Sequence, residues 1–309
     1  MLHAAMTRRL ALLACTWAGI MVFAAATAEA GTPPKRLYVS LGDSYATGSQ
    51  PTGVGQGRNT RNGFPYQVPA LAARRGHRLR LVNFACSGAT TTSMIASKGC
   101  PPIARGPGGR ADPRRTQLAA AERFLRANRG RTALISVSIG GNDVTACVRE
   151  ADPVTCVARA VTTVRRNVTR IARRLRRAAG SKVRIVGTTY PDVILGAWVN
   201  GDPASRSLAE LSVVAFRSLI NPSLRQAYRA AQGRFVDVTA ASGAYIPFDQ
   251  VTTLFPYGTV PVAVARVCEL TYFCAYRDIH ARTDGYRLIA DMVARQLPRK
   301  RARVHSAQL

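Results

Sequence analysis

The sequence predicts an α/β protein with a parallel sheet that helices cover on both faces. Short apolar runs alternate with longer amphipathic segments, as expected for repeated strand and helix units. The runs are almost continuously apolar, which is typical of strands that are buried on both faces. The chain has 309 residues, of which 47% are hydrophobic, so it can bury a core of this kind.

Five apolar runs are predicted to form the strands, and five longer segments are predicted to form helices. The strands are expected at 37–41, 79–84, 133–137, 183–187 and 235–238. The helices are expected at 64–75, 115–128, 154–179, 208–232 and 283–296. The stretch 239–281 shows no clear periodicity and is long for an ordinary connection, which indicates a functional loop.

The N-terminal residues have the pattern of a secretory signal peptide. Arg8 and Arg9 precede an apolar stretch over 10–26, and a cleavage site of the A-x-A type ends at Ala30. A second interpretation is an uncleaved anchor, because a stretch of this length could just span a bilayer. The predicted parts of the chain are a signal peptide over 1–30, a secreted folded domain over 31–297 and a basic tail over 298–309.

The predicted export indicates that the cysteines form disulfides. Besides Cys15 in the leader there are six, and an even number in an oxidising compartment indicates disulfides. A zinc site is disfavoured because the sequence has no C-x₂-C pair. The spacing suggests three local bridges among the many connectivities that six cysteines allow, namely Cys86–Cys100, Cys147–Cys156 and Cys268–Cys274.

The chain is strongly basic, with a formal net charge of +28. Nearly all of its cations are arginines spread from end to end, and groups such as 173–177 have the spacing of a solvated helix face. Neither a nucleic-acid-binding motif nor aromatic interleaving accompanies them, so no nucleic-acid partner is expected. Loose attraction to anionic surfaces remains open, and we expect a monomer.

Four residues at the ends of predicted strands or before the last helix carry candidate chemistry. Ser44 follows the first strand in Gly-Asp-Ser-Tyr, and Gly88 follows the second in Cys-Ser-Gly-Ala-Thr. Asn142 follows the third strand after two glycines, and His280 precedes the closing helix. Each alone has an ordinary structural explanation, such as a helix cap or a turn. Because the carboxyl ends of parallel strands meet at one edge of the sheet, we expect these residues to converge.

Together the four residues supply what acyl transfer requires. Ser44 is a hydroxyl nucleophile, and His280 is a base with an ordinary pKa near neutrality. The backbone N–H groups of Ser44 and Gly88 and the side-chain amide of Asn142 can donate to a developing oxyanion. The combination predicts a serine hydrolase that acts on esters.

These blocks, in this order, resemble those of the SGNH hydrolases, the GDSL esterase and lipase family. The likeness covers roughly 36–294, and its second block is similar to that of secreted actinobacterial members. It implies a flavodoxin-like, three-layer α/β/α sandwich with a five-stranded parallel sheet as the domain over 31–297. It also implies that neither a metal nor an organic cofactor is needed.

One position departs from the pattern of the family. The residue three places before the histidine is usually aspartate, whereas Arg277 stands there and Asp278 is only two places before. Asp278 is therefore the candidate that orients the imidazole of His280, and a main-chain carbonyl near Arg277 is the alternative. A third interpretation gives Asp278 only a structural ion pair.

The substrate is less well defined than the reaction. Apolar and aromatic side chains between 245 and 262, together with Trp198, either line an acyl channel or pack the long loop onto the core. We expect an exported esterase or lipase for lipid or medium-chain acyl esters. The alternatives are a carbohydrate acetylesterase and a non-catalytic cationic protein that binds surfaces.

Overall fold

The structure, a computed structural model, describes residues 35–300 and confirms the predicted parallel sheet. Five parallel strands lie in the order β4-β1-β5-β6-β7, and two antiparallel hairpins, β2–β3 and β8–β9, are separate from that sheet. The strands are β1 (Arg36–Gly42), β2 (Ser49–Gly53), β3 (Gln56–Asn59), β4 (Leu79–Asn83), β5 (Thr132–Ser138), β6 (Arg184–Thr188), β7 (Arg234–Val236), β8 (Val251–Leu254) and β9 (Gly258–Pro261).

Helices cover both faces of the sheet, which gives the three layers of the predicted sandwich. One core lies between the sheet and α3, α4, α6 and α8, and the other lies between the sheet and α2 and α12. The helices are α1 (Ser44–Thr47), α2 (Phe64–Ala73), α3 (Thr91–Ala96), α4 (Gln117–Ala127), α5 (Gly141–Thr145), α6 (Pro153–Ala179), α7 (Pro203–Ala215), α8 (Asn221–Arg229), α9 (Val238–Ala241), α10 (Val262–Leu270), α11 (Phe273–Tyr276) and α12 (Thr283–Ala294).

The helix predicted at 208–232 is two helices joined by one π-helical turn. The turn spans Phe216–Ile220, between α7 and α8, and Pro222 lies in the first turn of α8. Proline has no N–H to donate to a preceding carbonyl, so a wider turn ahead of it accommodates the missing bond. The helical periodicity of the sequence did not reveal this break.

The segment 239–281 is more regular than its sequence suggests. It forms α9, the β8–β9 hairpin, α10 and α11, and it packs with a 3₁₀ segment, Val193–Asn200, and α7 around a third core. We call the residues 193–215 and 243–276 the cap. Trp198 stacks on Phe248 at 5.2 Å within this core, whereas Phe255 at the hairpin tip is 92% exposed. Most apolar residues of the segment therefore pack the cap together.

Three disulfides tie the connecting segments. They join the cysteine pairs that the sequence spacing suggests, with Cα atoms 5.3–5.9 Å apart: Cys86–Cys100, Cys147–Cys156 and Cys268–Cys274. The first lies in the connection after β4, the second joins the residues after α5 to the start of α6, and the third joins α10 to α11.

The proposed signal peptide over 1–30 and the tail beyond residue 300 lie outside the described residues. Within residues 35–300, no helix combines the length and the apolar character that crossing a bilayer requires.

Asp192 anchors the cap to the end of β6. One carboxyl oxygen accepts a hydrogen bond from the N–H of Ile194, and the other lies 2.8 Å from Ser212 Oγ in α7. That hydroxyl is also 2.7 Å from the carbonyl of Ala209, and its single proton cannot serve both oxygens. Burial raises the pKa of Asp192 to about 7, and a protonated carboxyl that donates to Ser212 satisfies every group.

Replacing Asp192 by asparagine is expected to stabilise the protein above neutral pH. The raised pKa means that the folded state keeps a proton that the unfolded chain loses, so stability falls as the pH rises from about 4 to 7. The amide that replaces the carboxyl would donate to Ser212 at every pH. We expect Asp192→Asn to raise the free energy of unfolding at about pH 8 by about 2–4 kcal/mol and to change it little at about pH 4.

Urea unfolding at the two pH values measures this difference. Asp202→Asn is the matched control, because Asp202 caps α7 on the surface and hydrogen bonds with Ser205 lower its pKa. It should give no gain in stability at high pH. An Asp192→Asn protein that is no more stable than the wild type at about pH 8 would contradict a neutral, buried Asp192.

Candidate active site

The end of β1 is held in one position by a buried glutamine. Gln117 accepts a hydrogen bond from the N–H of Gly42 (2.8 Å) and donates one to its carbonyl (3.0 Å). Gly42 has φ +149°, and a Cβ there would lie 2.2 Å from the carbonyl oxygen of Ser138 on β5. Only glycine therefore fits where the chain leaves the sheet towards Ser44.

Ser44 is the first residue of α1, and Asp43 caps that helix. Asp43 accepts a hydrogen bond from the N–H of Tyr45, and both Asp43 and Ser44 are buried. No partner for the N–H of Ser44 occurs among the described residues. It is one of the unpaired N–H groups that every helix start presents, and it is free to bind an anion.

Tyr190, just after β6, connects the Ser44 turn to the loop that follows β5. Its hydroxyl donates to Asp43 Oδ2 at 2.5 Å and accepts from the N–H of Gly141 at 3.3 Å. Its ring meets Tyr45 edge-on at 4.9 Å, and a Cβ at Gly141 would lie 3.1 Å from that ring. Burial raises the pKa of Asp43 to about 7, and the hydrogen bond from Tyr190 opposes that rise.

Gly88 lies in the connection after β4. A polar network joins this connection to α1. Asn59 Oδ1 accepts hydrogen bonds from Thr47 (2.7 Å) and from Ser87 (2.9 Å), and the two hydroxyls are 2.7 Å apart. Gly88 is exposed, has φ +77° and has no neighbour within 4 Å of an added Cβ. Within residues 35–300 its N–H has no partner, so the loop presents a free donor beside open space.

Asn142, in α5, is oriented towards the Gly88 loop. Its amide donates one hydrogen bond to the carbonyl of Ala89 (2.9 Å), which leaves its second N–H for a ligand. The neighbouring Asp143 accepts hydrogen bonds from both the backbone and the hydroxyl of Thr91 (2.8 and 2.6 Å). Asp143 thus joins α5 to the start of α3 and organises the loop.

His280 precedes α12, and Asp278 holds its ring. Asp278 Oδ1 lies 2.7 Å from His280 Nδ1 and also accepts the backbone N–H of His280 at 2.8 Å. Nε2 is buried, and no group of the described residues hydrogen bonds to it. Burial raises the pKa of Asp278, but the hydrogen bonds and the charge of His280 outweigh it and place the pKa below its usual value.

Tyr45 joins the histidine segment to the serine segment. Its hydroxyl donates to the carbonyl of Ile279 at 2.6 Å, and its ring centre is 6.0 Å from that of His280. Gln50, in β2, donates to the carbonyl of Ala281 at 3.2 Å. Two segments at opposite ends of the chain are thereby in direct contact at one edge of the sheet.

The structure therefore gathers all four predicted blocks. Ser44 contributes a hydroxyl and an N–H, Gly88 contributes an N–H, and Asn142 contributes an amide hydrogen. Asp278, not a main-chain carbonyl near Arg277, contacts the imidazole; the side chain of Arg277 points to Asn200 instead. No cluster of three or more His, Cys, Asp or Glu side chains able to hold a metal ion occurs within residues 35–300.

Three residues that organise the site were not predicted from the sequence. Tyr190 follows a predicted strand as the other site residues do, so its position offered a signal. Asn59 and Gln117 gave none, because their contacts connect segments that are far apart in the sequence.

The chain belongs to the GDSL-like lipase/acylhydrolase family, whose model matches residues 40–288. This match confirms the resemblance to SGNH hydrolases and makes the protein a carboxylic ester hydrolase. A comparison with curated proteins finds no significant match.

Several solved structures are similar to this one. An extracellular lipase from Streptomyces rimosus has 19% identity and a TM-score of 0.48, over 84% of this chain and 99% of that chain. A phospholipase A1 from Streptomyces albidoflavus has 20% identity and a TM-score of 0.43, over 75% and 95%. An acetylxylan esterase from Geobacillus stearothermophilus, solved as a catalytic mutant, has 15% and 0.45, over 87% and 97%. The family assignment does not depend on them.

Asp278 and His280 are expected to contribute unequally to turnover. His280→Ala removes the imidazole that we predict to be the base. Asp278→Ala leaves a ring that Tyr45 and the buried backbone still position, so its loss of kcat should be much smaller. Asp278→Asn is the matched control, because its amide oxygen keeps both hydrogen bonds but not the charge. Its kcat should lie between those of the wild type and Asp278→Ala.

Steady-state hydrolysis of a soluble ester measures these values. Equal losses for Asp278→Ala and His280→Ala would mean that the carboxylate is indispensable. A wild-type kcat for Asp278→Ala would mean that the contact has no role. Because the pKa of Asp278 is lowered, this carboxyl should stay ionised in mild acid, and its protonation should not set the acidic limb of the pH profile.

Proposed function

We propose that the protein is a secreted serine esterase that works by two-step acyl transfer at Ser44. The carrying observation is the convergence of a buried serine, an imidazole with a free Nε2 and three donors from separate loops. His280 Nε2 takes the proton of Ser44 Oγ as that oxygen bonds to the ester carbonyl. The carbonyl electrons move onto its oxygen, which the N–H groups of Ser44 and Gly88 and the amide of Asn142 stabilise.

The remaining steps use the same groups. The tetrahedral intermediate breaks its bond to the alcohol, which leaves with the proton from His280. Water then attacks the acyl-enzyme, gives its proton to His280 and releases the acid as that proton returns to Ser44. Asp278 holds the imidazole and stabilises its charged form. Loss of the Asn142 donor alone should lower turnover by roughly 10²–10³.

We propose lipid or medium-chain acyl esters as substrates. Exposed apolar side chains lie on segments that hydrogen bonds connect to the segments of the site residues. Val54, in the β2–β3 hairpin, is 80% exposed, and Ile103 is 90% exposed. Asn59 of the same hairpin donates to the carbonyl of Ile103. It also accepts hydrogen bonds from Thr47 in α1 and from Ser87 beside Gly88. Phe255 is exposed on the cap hairpin, and Tyr257 of that hairpin binds the carbonyl of Cys274 ahead of His280. Exposed apolar side chains on these connected segments support an apolar acyl chain as the substrate.

Secretion is proposed from the leader sequence and the disulfides. Residues 1–30 have the charge, apolar stretch and cleavage pattern of a signal peptide that ends at Ala30. Three disulfides within the described residues suit an oxidising compartment.

The acyl preference is tested with acetyl, butyryl and octanoyl p-nitrophenyl esters. We expect kcat/KM to rise from acetyl to the longer chains, because each added methylene that becomes buried improves binding. Phe255→Ser should reduce the octanoyl rate more than the acetyl rate, while Val251→Ser on the same hairpin serves as the control. A steep preference for acetyl would favour a carbohydrate acetylesterase and overturn the proposed substrate.

A further inference from the structure

The two helical layers of the sandwich carry very different charges. The layer of α4, α6 and α8, here called the basic layer, contains twelve arginines and one glutamate. The helices α2 and α12 on the other face contain one arginine and two aspartates. Among these five helices, the positive charge is therefore concentrated on one face of the sheet.

Within residues 35–300, some arginines of the basic layer have structural partners and others have none. Arg174 pairs with Glu122 at 2.6 Å, and Arg176 binds backbone carbonyls at the end of α6. Four other arginines of α6 have no side-chain partner among the described residues: Arg165, Arg166, Arg170 and Arg177. They line one shallow groove at helical spacing and extend over about 18 Å of the helix. Clustered like charges without partners oppose folding slightly, and an anionic ligand at this groove would relieve their repulsion.

An exposed aliphatic stripe borders the basic layer. Leu208, Leu211, Val214 and Leu219 of α7 and the π-helical turn are 42–59% exposed. The turn continues directly into α8, and Phe216 packs on the core beneath the basic layer. The π-helical turn therefore connects the aliphatic stripe to the basic layer.

We propose that the basic layer and the aliphatic stripe form a docking surface for an anionic lipid bilayer. Arginines placed at an anionic membrane attract its headgroups, and adjacent aliphatic side chains enter the acyl boundary. A soluble polyanion such as nucleic acid would use the arginines but would leave the stripe in water. The surface lies outside the catalytic residues, so docking is separable from turnover.

Sedimentation of the full mature protein with vesicles tests the proposal. Vesicles of phosphatidylglycerol and phosphatidylcholine should bind the protein in a salt-sensitive manner, and vesicles of phosphatidylcholine alone should not. Replacing Arg165, Arg166, Arg170 and Arg177 by glutamine should weaken binding on the order of 500-fold, because each arginine at the surface contributes roughly fivefold.

A matched variant separates the location of the charge from its amount. Arg61, Arg74, Arg80 and Arg287 are exposed, lie outside the basic layer and have no side-chain partner within residues 35–300. Changing these four to glutamine removes the same charge and should weaken vesicle binding only a few-fold. Equal losses in the two variants would overturn the docking surface and leave a general effect of net charge.

The double variant Leu208→Gln, Leu211→Gln distinguishes a bilayer from a soluble polyanion. It should weaken vesicle binding and leave binding to a DNA duplex unchanged. The proposal is refuted if the wild type does not bind anionic vesicles. It is also refuted if the leucine substitutions leave vesicle binding unchanged and the protein binds vesicles no more tightly than DNA. All variants should retain wild-type melting temperatures and wild-type hydrolysis of a soluble short-chain ester.

Discussion

A short chain of buried hydrogen bonds determines where Ser44, the proposed nucleophile, stands. Asp43 caps the helix that begins at Ser44, Tyr190 donates to Asp43, and the N–H of Gly141 donates to Tyr190. Ser44 and the loop that carries Asn142 are thereby fixed to each other. Other contacts extend the same connection, since Asn142 reaches the Gly88 loop and Tyr45 reaches the histidine segment. Preorganised donors of this kind lower the cost of stabilising a charge that develops during reaction.

The disulfides restrain the loops that the sheet itself does not hold. Cys86–Cys100 closes the loop that carries Gly88, Cys147–Cys156 follows the helix with Asn142, and Cys268–Cys274 precedes His280. Ser44 needs no such bridge, because it lies just after the end of β1, an inner strand of the sheet. Each bridge reduces the freedom of the unfolded chain and so favours the folded loop.

The sequence predicts the sheet, its five strands and the four site blocks. Each of these features is recognisable from a short stretch of neighbouring residues, either an apolar run or the residues that follow it. It does not predict Tyr190, Asn59 or Gln117 as site-organising residues, because their contacts connect distant segments. Residues 239–281 appear irregular because short elements pack on α7 and on one another rather than on the sheet. The sequence leaves the contact between Asp278 and His280 as one of three interpretations, because it depends on the backbone around Arg277, which has φ +56°.

The most direct test of this account is the turnover of Tyr190→Phe. Phenylalanine keeps the ring against Tyr45 and Gly141 but removes the hydroxyl that binds Asp43. We expect kcat to fall at least about tenfold with KM within about twofold, because a hydrogen bond to a charged group is lost. Tyr257→Phe, which loses a hydroxyl contact in the cap, should retain the wild-type kcat. A wild-type kcat for Tyr190→Phe would contradict the claim that this bridge positions Ser44.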